Sequence, residues 1–425
     1  MTMKLRNRMI ALVCLILFLG VGAALFLNTT ARKPFAVILF VADNINPSAL
    51  TAARLFGGGG DARLQIEEFP NTALCRNPAN DFSVPEAASA STSIAAGKHV
   101  NRDSLCIDPS GVKLPSLLEE AALAGRSTGL ITTGEIVGTT AAAYYAKSLD
   151  AKNHSDLLAQ FCAHTPYDFV AGGGAQDFAA GADAQKPVGD AGKTPLKQLG
   201  GKDGKGVVTL RSMAELESQP FWKKLPVLAP LSSGPLAPTR FGEGNPYSPS
   251  LSDLVRVAIR HLQSNSRGYL LVIDDPMIAS AAAANDAETM FARLLALDQA
   301  VGTAKLYAGA DALIIVTGRE NIGGVQLNGY PLLRDKGVAI LALNNQGYPS
   351  LCWSTGPGYA SEKSPPPTKP KKNSPGILTQ PAAYQLPLGV GTAGDVLTLG
   401  VGQGSENLHG FLDLTDIHRV IKDSL

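Results

Sequence analysis

The chain has 425 residues, of which 45% are hydrophobic and 17% are charged, and its formal net charge is +1. This length and composition are those of a globular protein with one large α/β domain or two smaller ones. The nearly balanced charge gives no indication of a basic surface of the kind that binds nucleic acid, so we expect no nucleic-acid partner.

The first element along the chain is an apolar run. Lys4, Arg6 and Arg8 precede the uncharged residues 9–27, which would span about 28 Å as a helix, close to the thickness of a bilayer core. Basic residues before such a run favour a cytoplasmic N-terminus with the rest exported. We therefore predict that residues 1–34 are a membrane anchor and linker, with a periplasmic or extracellular domain after them. A cleaved signal segment is the alternative.

Continuous apolar runs further along the chain predict buried parallel strands, and helical patterns lie between them. The predicted strands are 35–41, 128–133, 269–273, 312–317 and 338–343, and the predicted helices are 113–123, 251–262 and 287–306. This alternation predicts an α/β fold with a doubly wound, mostly parallel sheet sandwiched by helices.

Three residues lie where predicted strands end, namely Asp43, Asp274 and Gly318. Ligands of such sheets bind beyond the carboxyl ends of the strands, so these positions indicate the site. We expect one domain over residues 35–425, with surface insertions near 175–250 and 356–389 that are rich in Gly, Pro and Lys.

Four cysteines follow the apolar run: Cys75, Cys106, Cys162 and Cys352. Export would permit disulfides among them, but four cysteines allow three pairings and the sequence does not choose. Buried free thiols are the alternative. The spacings match no zinc knuckle.

Residues 84–92 read Val-Pro-Glu-Ala-Ala-Ser-Ala-Ser-Thr, and Ala-Ala-Gly-Lys follows at 95–98. This segment resembles the nucleophile segment of the alkaline phosphatase family, usually D-S-A-A-S-A-T-A and then T-G-x-K. Further segments that resemble family blocks occur in family order: 37–44, 129–142, 170–174, 269–301, 312–324 and 391–402. The resemblance implies an alkaline-phosphatase-like fold from residue 36 to the C-terminus.

The same resemblance raises doubt about the chemistry, because the family's nucleophilic serine is replaced by Glu86 and the preceding aspartate by Pro85. The arginine that binds phosphate in the family falls near Ala151, with Lys152 one residue further on. We therefore expect no catalytic residue at the nucleophile position, although a carboxylate nucleophile is chemically conceivable.

Family members bind two zinc ions and a magnesium ion. The resemblance places the ligand positions of the first zinc at Ala279, Ala283 and Gly391, and those of the second zinc at Asp43, Gly318 and Arg319. A catalytic zinc site needs at least three donor side chains. The resemblance therefore implies that both zinc sites are lost.

The magnesium ligands of the family correspond to Asp43, Thr140 and Asp274. Oxygen donors of this kind suit one Mg²⁺ or Ca²⁺ ion. The alternative is that the two carboxylates only make hydrogen bonds at the strand ends.

Arg319 suggests what replaces the zinc charge. Without zinc, Asp43 and Glu86 would repel each other in a partly buried cleft. We hypothesise that the Arg319 guanidinium pairs with Glu86 or Asp43. An exposed Arg319 at a loop end is the alternative.

Together these patterns predict an exported, membrane-anchored pseudoenzyme with a binding or scaffolding role. Its expected partners are the membrane and an unidentified ligand or protein, and the resemblance allows a homodimer. The alternative is an active, metal-dependent phosphomonoesterase, or a related ester hydrolase, with a rebuilt active site.

Overall fold

The structure is a computed structural model that describes Met9 and residues 12–20, 35–163, 167–178, 206–220, 225–237, 249–328, 349–358, 371–373 and 377–425. The chain divides into two units, Met1–Pro34 and Phe35–Leu425. In the first unit Met9 and residues 12–20 are helical and exposed, and the rest of the predicted anchor lies outside the described residues. Across the described parts of the chain, no helix has the length and apolar character needed to cross a membrane.

The second unit is built around one large sheet with smaller sheets beside it. Its strands are β1 Ala36–Ala42, β2 Asn71–Arg76, β3 Ser127–Glu135, β4 Phe169–Gly173, β5 Val208–Thr209, β6 Val227–Pro230, β7 Tyr269–Asp275, β8 Leu313–Gly318, β9 Asn321–Ile322, β10 Val325–Leu327, β11 Leu351–Gly356, β12 Lys371–Asn373, β13 Ile377–Thr379, β14 Ala382–Gln385, β15 Gly391–Thr392, β16 Val396–Val401 and β17 Gly410–Asp413.

Helices fill the connections between these strands. They are α1 Pro47–Gly58, α2 Ala87–Ala96, α3 Leu117–Leu123, α4 Thr139–Ala142, α5 His154–Ala163, α6 Met213–Ser218, α7 Leu251–Leu262, α8 Met277–Ala283, α9 Ala287–Ala308 and α10 Leu414–Lys422.

The large sheet has ten strands in the order β17-β2-β16-β8-β1-β7-β3-β4-β6-β5. Only β16 runs antiparallel to its neighbours β2 and β8, and the other described pairings in this sheet are parallel. Ala42 at the end of β1 is in register with Asp275 of β7 and Gly318 of β8. The carboxyl ends of these three central strands therefore meet at one edge.

Apolar cores lie on both faces of the sheet, because alternate residues of a strand point to opposite faces. Within β1, Ile38 and Phe40 belong to the core under α1, α7 and α9, whereas Val37, Leu39 and Val41 belong to the core under α2, α3 and α10. The predicted fold class, a mostly parallel sheet sandwiched by helices, is confirmed.

Most predicted elements have a counterpart, with shifted boundaries. The helix expected over 113–123 begins at Leu117, since Ser116 is its N-cap: the Ser116 side chain accepts a bond from the Glu119 backbone N–H, and Glu119 accepts one from the Ser116 N–H at 2.7 Å. The strand predicted at 338–343 lies outside the described residues, as do parts of both predicted insertions.

The cysteines are free thiols in this structure. Cys75, Cys106 and Cys162 are buried, and Cys352 is half-buried. Burial raises the pKa of each of the three buried thiols to about 11. The cysteines therefore match the free-thiol alternative rather than disulfides, and the three buried thiols are poor nucleophiles.

Candidate functional site

Arg319 lies at the centre of the candidate site, immediately after the carboxyl end of β8. Its Nε and Nη2 atoms donate to the two oxygens of Asp43, at 3.0 and 2.6 Å, and its Nη1 donates to Asp274 Oδ1 at 2.7 Å. All three side chains are at most 1% exposed. One guanidinium therefore bridges two carboxylates inside the protein, and its contact with Asp43 has the bidentate geometry that suits arginine.

The strand ends hold this ion triad in place. The Arg319 backbone N–H donates to the Ala42 carbonyl at 2.9 Å, and Asn77 donates to the Arg319 carbonyl at 2.7 Å. Next to Asp43, Asn44 has a left-handed φ of 59° and exchanges side-chain hydrogen bonds with the Ile322 backbone. Asparagine tolerates that conformation better than most residues. The loop after β8 is therefore fastened to the end of β1.

Asp274 has no free oxygen in this arrangement. Its Oδ1 accepts from Arg319, and its Oδ2 accepts from Thr140 at 2.5 Å and from Thr132 at 3.1 Å. Asp43, Thr140 and Asp274, the predicted metal ligands, therefore lie close together. Their oxygens are already used in hydrogen bonds with Arg319 and the two threonines.

The charges of this triad depend on burial and on one another. Burial opposes the charged form of Arg319, but the attraction of Asp43 and Asp274 outweighs it, and the pKa of Arg319 rises above its ordinary value. Burial also raises the pKa of Asp43, and the contact with Arg319 opposes that rise. Arg319 therefore supplies the positive charge that stabilises the two buried carboxylates.

Glu86 is not among the described hydrogen-bond or ion-pair partners of Arg319, so of the two partners in our hypothesis Asp43 is the one that the structure supports. The Glu86 carboxylate instead caps α2. It accepts from the backbone N–H groups of Ala88 and Ser89, both at 2.7 Å, and from that of Asp103 at 3.0 Å. A carboxylate at this position satisfies otherwise unpaired N–H groups and the positive end of the helix dipole.

Glu320 also belongs to the site, although the sequence motifs did not point to it. Glu320 is only 6% exposed. Burial is the main reason why its pKa rises to about 8, and the nearby carboxylates of Asp43 and Glu86 add to the rise while Arg319 and Arg102 oppose it. Burial and the acidic neighbours therefore favour the neutral form of the Glu320 carboxyl.

A signal for Glu320 was present in the sequence. When the family segment T-L-V-V-V-T-A-D-H-E-T-G-G is counted back without a gap from Gly323 and Gly324, its aspartate falls on Arg319 and its histidine on Glu320. This gapless count places the two family positions at Arg319 and Glu320, one residue after Gly318 and Arg319. A Cβ added at Gly318 would lie 2.5 Å from Val396 Cβ, so no ligand side chain fits there without a shift of its neighbour.

The positions assigned to the first zinc carry no donor side chain. Ala279 and Ala283 lie on α8, Gly391 lies in β15, and all three are half-buried. A Cβ added at Gly391 would lie 3.5 Å from Glu320 Oε2 and 3.6 Å from the Pro85 carbonyl oxygen. The space that a ligand side chain would enter at position 391 is therefore next to Glu320.

Lys152, the candidate phosphate-binding cation, is 75% exposed and pairs with Asp103 at 2.9 Å. Ala151 is buried and offers no charge. Asp103 also donates its backbone N–H to the Glu86 carboxylate that caps α2. Through Asp103, Lys152 is therefore linked to this helix cap from the solvent side. Its contact is a salt bridge with a neighbouring carboxylate at the surface.

The described residues do not fit the two-zinc and magnesium set that the family resemblance implies. Arg319 takes both oxygens of Asp43 and one of Asp274, the positions that a shared metal ligand would use. Among the described residues there is no group of three or more His, Cys, Asp or Glu side chains arranged to hold a metal ion. A metal at this place would first have to displace the guanidinium.

The fold and the site together define an α/β protein with a doubly wound sheet, whose functional groups meet at the carboxyl edge of β1, β7 and β8. The family model for alkaline phosphatase matches residues 35–425. The chain belongs to the alkaline phosphatase family, as the motifs predicted.

Relatives and solved structures agree with this membership. The chain is 26% identical to the tissue-nonspecific alkaline phosphatase of Mus musculus over 389 residues, covering 78% of this chain and 72% of the relative. It is 26% identical to alkaline phosphatase 4 of Bacillus subtilis over 301 residues, covering 68% of this chain and 61% of that relative. The structure of alkaline phosphatase from the Antarctic bacterium TAB5 superposes with a TM-score of 0.69 at 21% identity, covering 92% of this chain and 98% of that one. A variant of the TAB5 enzyme has magnesium bound in its M3 site.

Proposed function

We propose that this protein is a non-catalytic member of the alkaline phosphatase family, in which Arg319 replaces the metal charge and the altered cleft has a binding or scaffolding role. The observation that carries the proposal is the guanidinium bridge from Asp43 to Asp274, at 2.6 to 3.0 Å. Neutralisation of charge at the phosphoryl oxygens usually contributes more than any other effect to such catalysis. Here the central cation is already paired on both sides.

The nucleophile position supports the same proposal. Glu86 occupies the N-terminus of α2, where backbone N–H groups would otherwise be available to an anion such as phosphate. Its carboxylate uses the N–H groups of Ala88, Ser89 and Asp103. A phosphate approaching this helix end would meet a carboxylate instead of free donors.

An active, metal-dependent phosphomonoesterase with a rebuilt site is the second candidate. The observation that favours it is that Asp43, Thr140 and Asp274 converge at one strand edge, with hard oxygen donors. In that case Mg²⁺ or Ca²⁺ would have to compete with Arg319 for Asp43 and Asp274.

Turnover of p-nitrophenyl phosphate by the purified full chain, with Zn²⁺ and Mg²⁺ in excess, separates the two candidates. The matched control is the Asp43→Asn variant, which keeps the size of the side chain and removes its charge. We expect no turnover above this control. Metal-dependent turnover that is lost in Asp43→Asn would overturn the non-catalytic proposal.

We also propose that the folded domain is exported and held at a membrane by the N-terminal run. The support is the order of basic residues and then uncharged apolar residues over 4–27. Fractionation of cells that express the full chain tests it, because an anchored domain stays with the membrane at high salt and leaves it only with detergent. Recovery in the soluble cytosolic fraction would contradict this part.

A further inference from the structure

We propose that a cavity beside α3 binds a small amphipathic anion, with an apolar body and a carboxylate head like those of a medium-chain fatty acid. The cavity has a volume of about 640 Å³, and none of the described residues that line it belongs to the ion triad at the strand ends. It is therefore a second site. The inference goes beyond the proposed function and does not depend on whether the protein is catalytic.

The cavity lies between α3 with the segment before it, the residues that follow α4, and α5. Its apolar lining consists of Leu114, Pro115, Ala122, Leu123 and Tyr145. Tyr145 is only 2% exposed, whereas Leu123 is 87% exposed, so the apolar lining extends from the core to the solvent. A volume of this size and a mostly apolar lining are typical of sites for small molecules.

Hydrogen bonds join the walls of this cavity to one another. The Ser116 hydroxyl, at the N-cap of α3, donates to the Tyr144 carbonyl at 2.6 Å. The Gln160 side chain of α5 accepts from the Lys147 backbone N–H at 2.8 Å and donates to the Lys147 carbonyl at 3.1 Å. The chain's own contacts therefore hold all three walls, and a site that is formed in advance loses less freedom when a ligand binds.

The polar part of the lining has more positive than negative charge, since it comprises Lys113, Lys147, Glu119 and Gln160. The single carboxylate is already engaged: Glu119 Oε2 accepts from Lys147 Nζ and from the Ser116 backbone N–H, both at 2.7 Å. Lys147 is 12% exposed, and its ammonium group has three N–H donors, of which the bond to Glu119 uses one. Lys113 is exposed. Donors for a further carboxylate therefore remain in the lining.

These features favour one class of ligand. A carboxylate can accept from the remaining N–H donors of Lys147 and lie near Lys113, and charge-assisted bonds of this kind are strong. An apolar chain attached to it would cover Leu123 and the other apolar residues of the lining, which removes apolar surface from water. A cation of the same shape would be repelled by the two lysines. A carboxylate without an apolar body would leave the apolar lining uncovered.

Calorimetric titration of the full chain with sodium octanoate tests this inference, at neutral pH, at constant ionic strength and below the micelle concentration. Octylammonium chloride provides a chain of similar length with the opposite charge, and sodium acetate provides the head without the chain. We expect saturable binding of octanoate in the micromolar to low-millimolar range. The other two probes should bind at least about tenfold more weakly.

Variants of the lining locate the binding. Lys147→Met should weaken octanoate binding at least about tenfold, because a charge-assisted hydrogen bond is lost, whereas Lys147→Arg keeps the charge and should retain most of the binding. Ala122→Phe places a ring in the cavity, keeps both lysines and should also weaken binding at least about tenfold. The matched control Lys305→Met removes a lysine of α9 that pairs with Glu68 at 2.9 Å, and should leave binding unchanged.

Absence of saturable octanoate binding, equal binding of octylammonium or acetate, or full binding in a folded Lys147→Met or Ala122→Phe variant would overturn the inference. Sedimentation of the same preparation tests a different occupant of this surface. A dimer that Leu123→Glu dissociates would show that a second copy of the chain covers the cavity, and would also overturn the inference. Phosphatase turnover bears only on the proposed function, so either proposal can fail without the other.

Discussion

Arg319→Ala is the sharpest test of the site. The substitution removes the guanidinium and leaves Asp43 and Asp274 buried, at 1% and 0% exposure, with no opposite charge between them. The threonine bonds to Asp274 stay, but Asp43 loses both of its described side-chain hydrogen bonds. One of the two carboxylates must then take up a proton or the local fold must open.

The size of the effect follows from the loss of one partner in a buried ion pair, which costs about 3–5 kcal/mol. Unfolding entropy is about 2.1 cal/mol/K per residue near 60 °C. Over Phe35–Leu425 it amounts to about 0.8 kcal/mol/K, so Tm should fall by about 4–6 °C.

Thermal unfolding followed by circular dichroism and calorimetry measures this loss, and two further variants control it. Arg76→Ala removes an arginine that is 72% exposed and pairs with Asp413 at 2.8 Å. Such a surface pair is worth less than about 1 kcal/mol, so its Tm should barely move. Arg319→Met combined with Asp43→Asn removes opposite charges together and should recover part of the stability.

An Arg319→Ala variant with the Tm of the unchanged protein would refute the reasoning, since it would mean that the two carboxylates do not need this cation. A loss equal to that of Arg76→Ala would do the same.

Three further outcomes follow from the geometry. Arg319→Asp places a third carboxylate between Asp43 and Asp274, and we expect Mg²⁺ to raise the Tm of this variant but not that of the unchanged protein. Glu86→Ser restores a hydroxyl at the family's nucleophile position, and we expect no turnover of p-nitrophenyl phosphate, while the start of α2 stays capped because serine is itself a preferred N-cap residue. The folded pKa of Glu320, about 8, lies above its ordinary 4.5, so the folded state keeps a proton that the unfolded state releases between these values. The free energy of unfolding therefore falls as pH rises through this window, by at most about 1.4 kcal/mol per pH unit, and Glu320→Gln should flatten this part of the stability curve.

A specific result would contradict each of these three predictions. A Mg²⁺ response of equal size in Arg319→Ala would show that the added carboxylate is not the ligand. Turnover in Glu86→Ser would show that the family's chemistry needs only its serine here. Parallel stability curves for Glu320→Gln and the unchanged protein from pH 5 to 8 would show that Glu320 keeps its ordinary pKa in the fold.

In our proposal, the Arg319 guanidinium takes the place of the metal charge in this architecture. Carboxylates that converge at strand ends require a positive charge, and a guanidinium supplies one that is covalently attached and cannot be removed by a chelator. Its planar geometry also fixes two ligands at once. The cost is that the cation is no longer available to a substrate, which connects the geometry of Arg319 with the proposed loss of activity.

The sequence by itself determined the fold class and the edge of the sheet at which the site lies. Buried parallel strands are continuous apolar runs, and the alternation of runs such as those at β1, β7 and β8 with helical patterns is local information. The replacement of the family's serine by Glu86 could also be seen directly in one short segment.

Only the tertiary structure decided which charges meet. Arg319 and Asp43 are 276 residues apart in the chain, and nothing local distinguishes Asp43 from Glu86 as the partner of the guanidinium. Glu86 is held by backbone N–H groups at the start of α2, and Gly318 lies against Val396, where a larger side chain would not fit. Such contacts depend on distances between strands that are far apart in the chain, so a pattern along one segment cannot specify them.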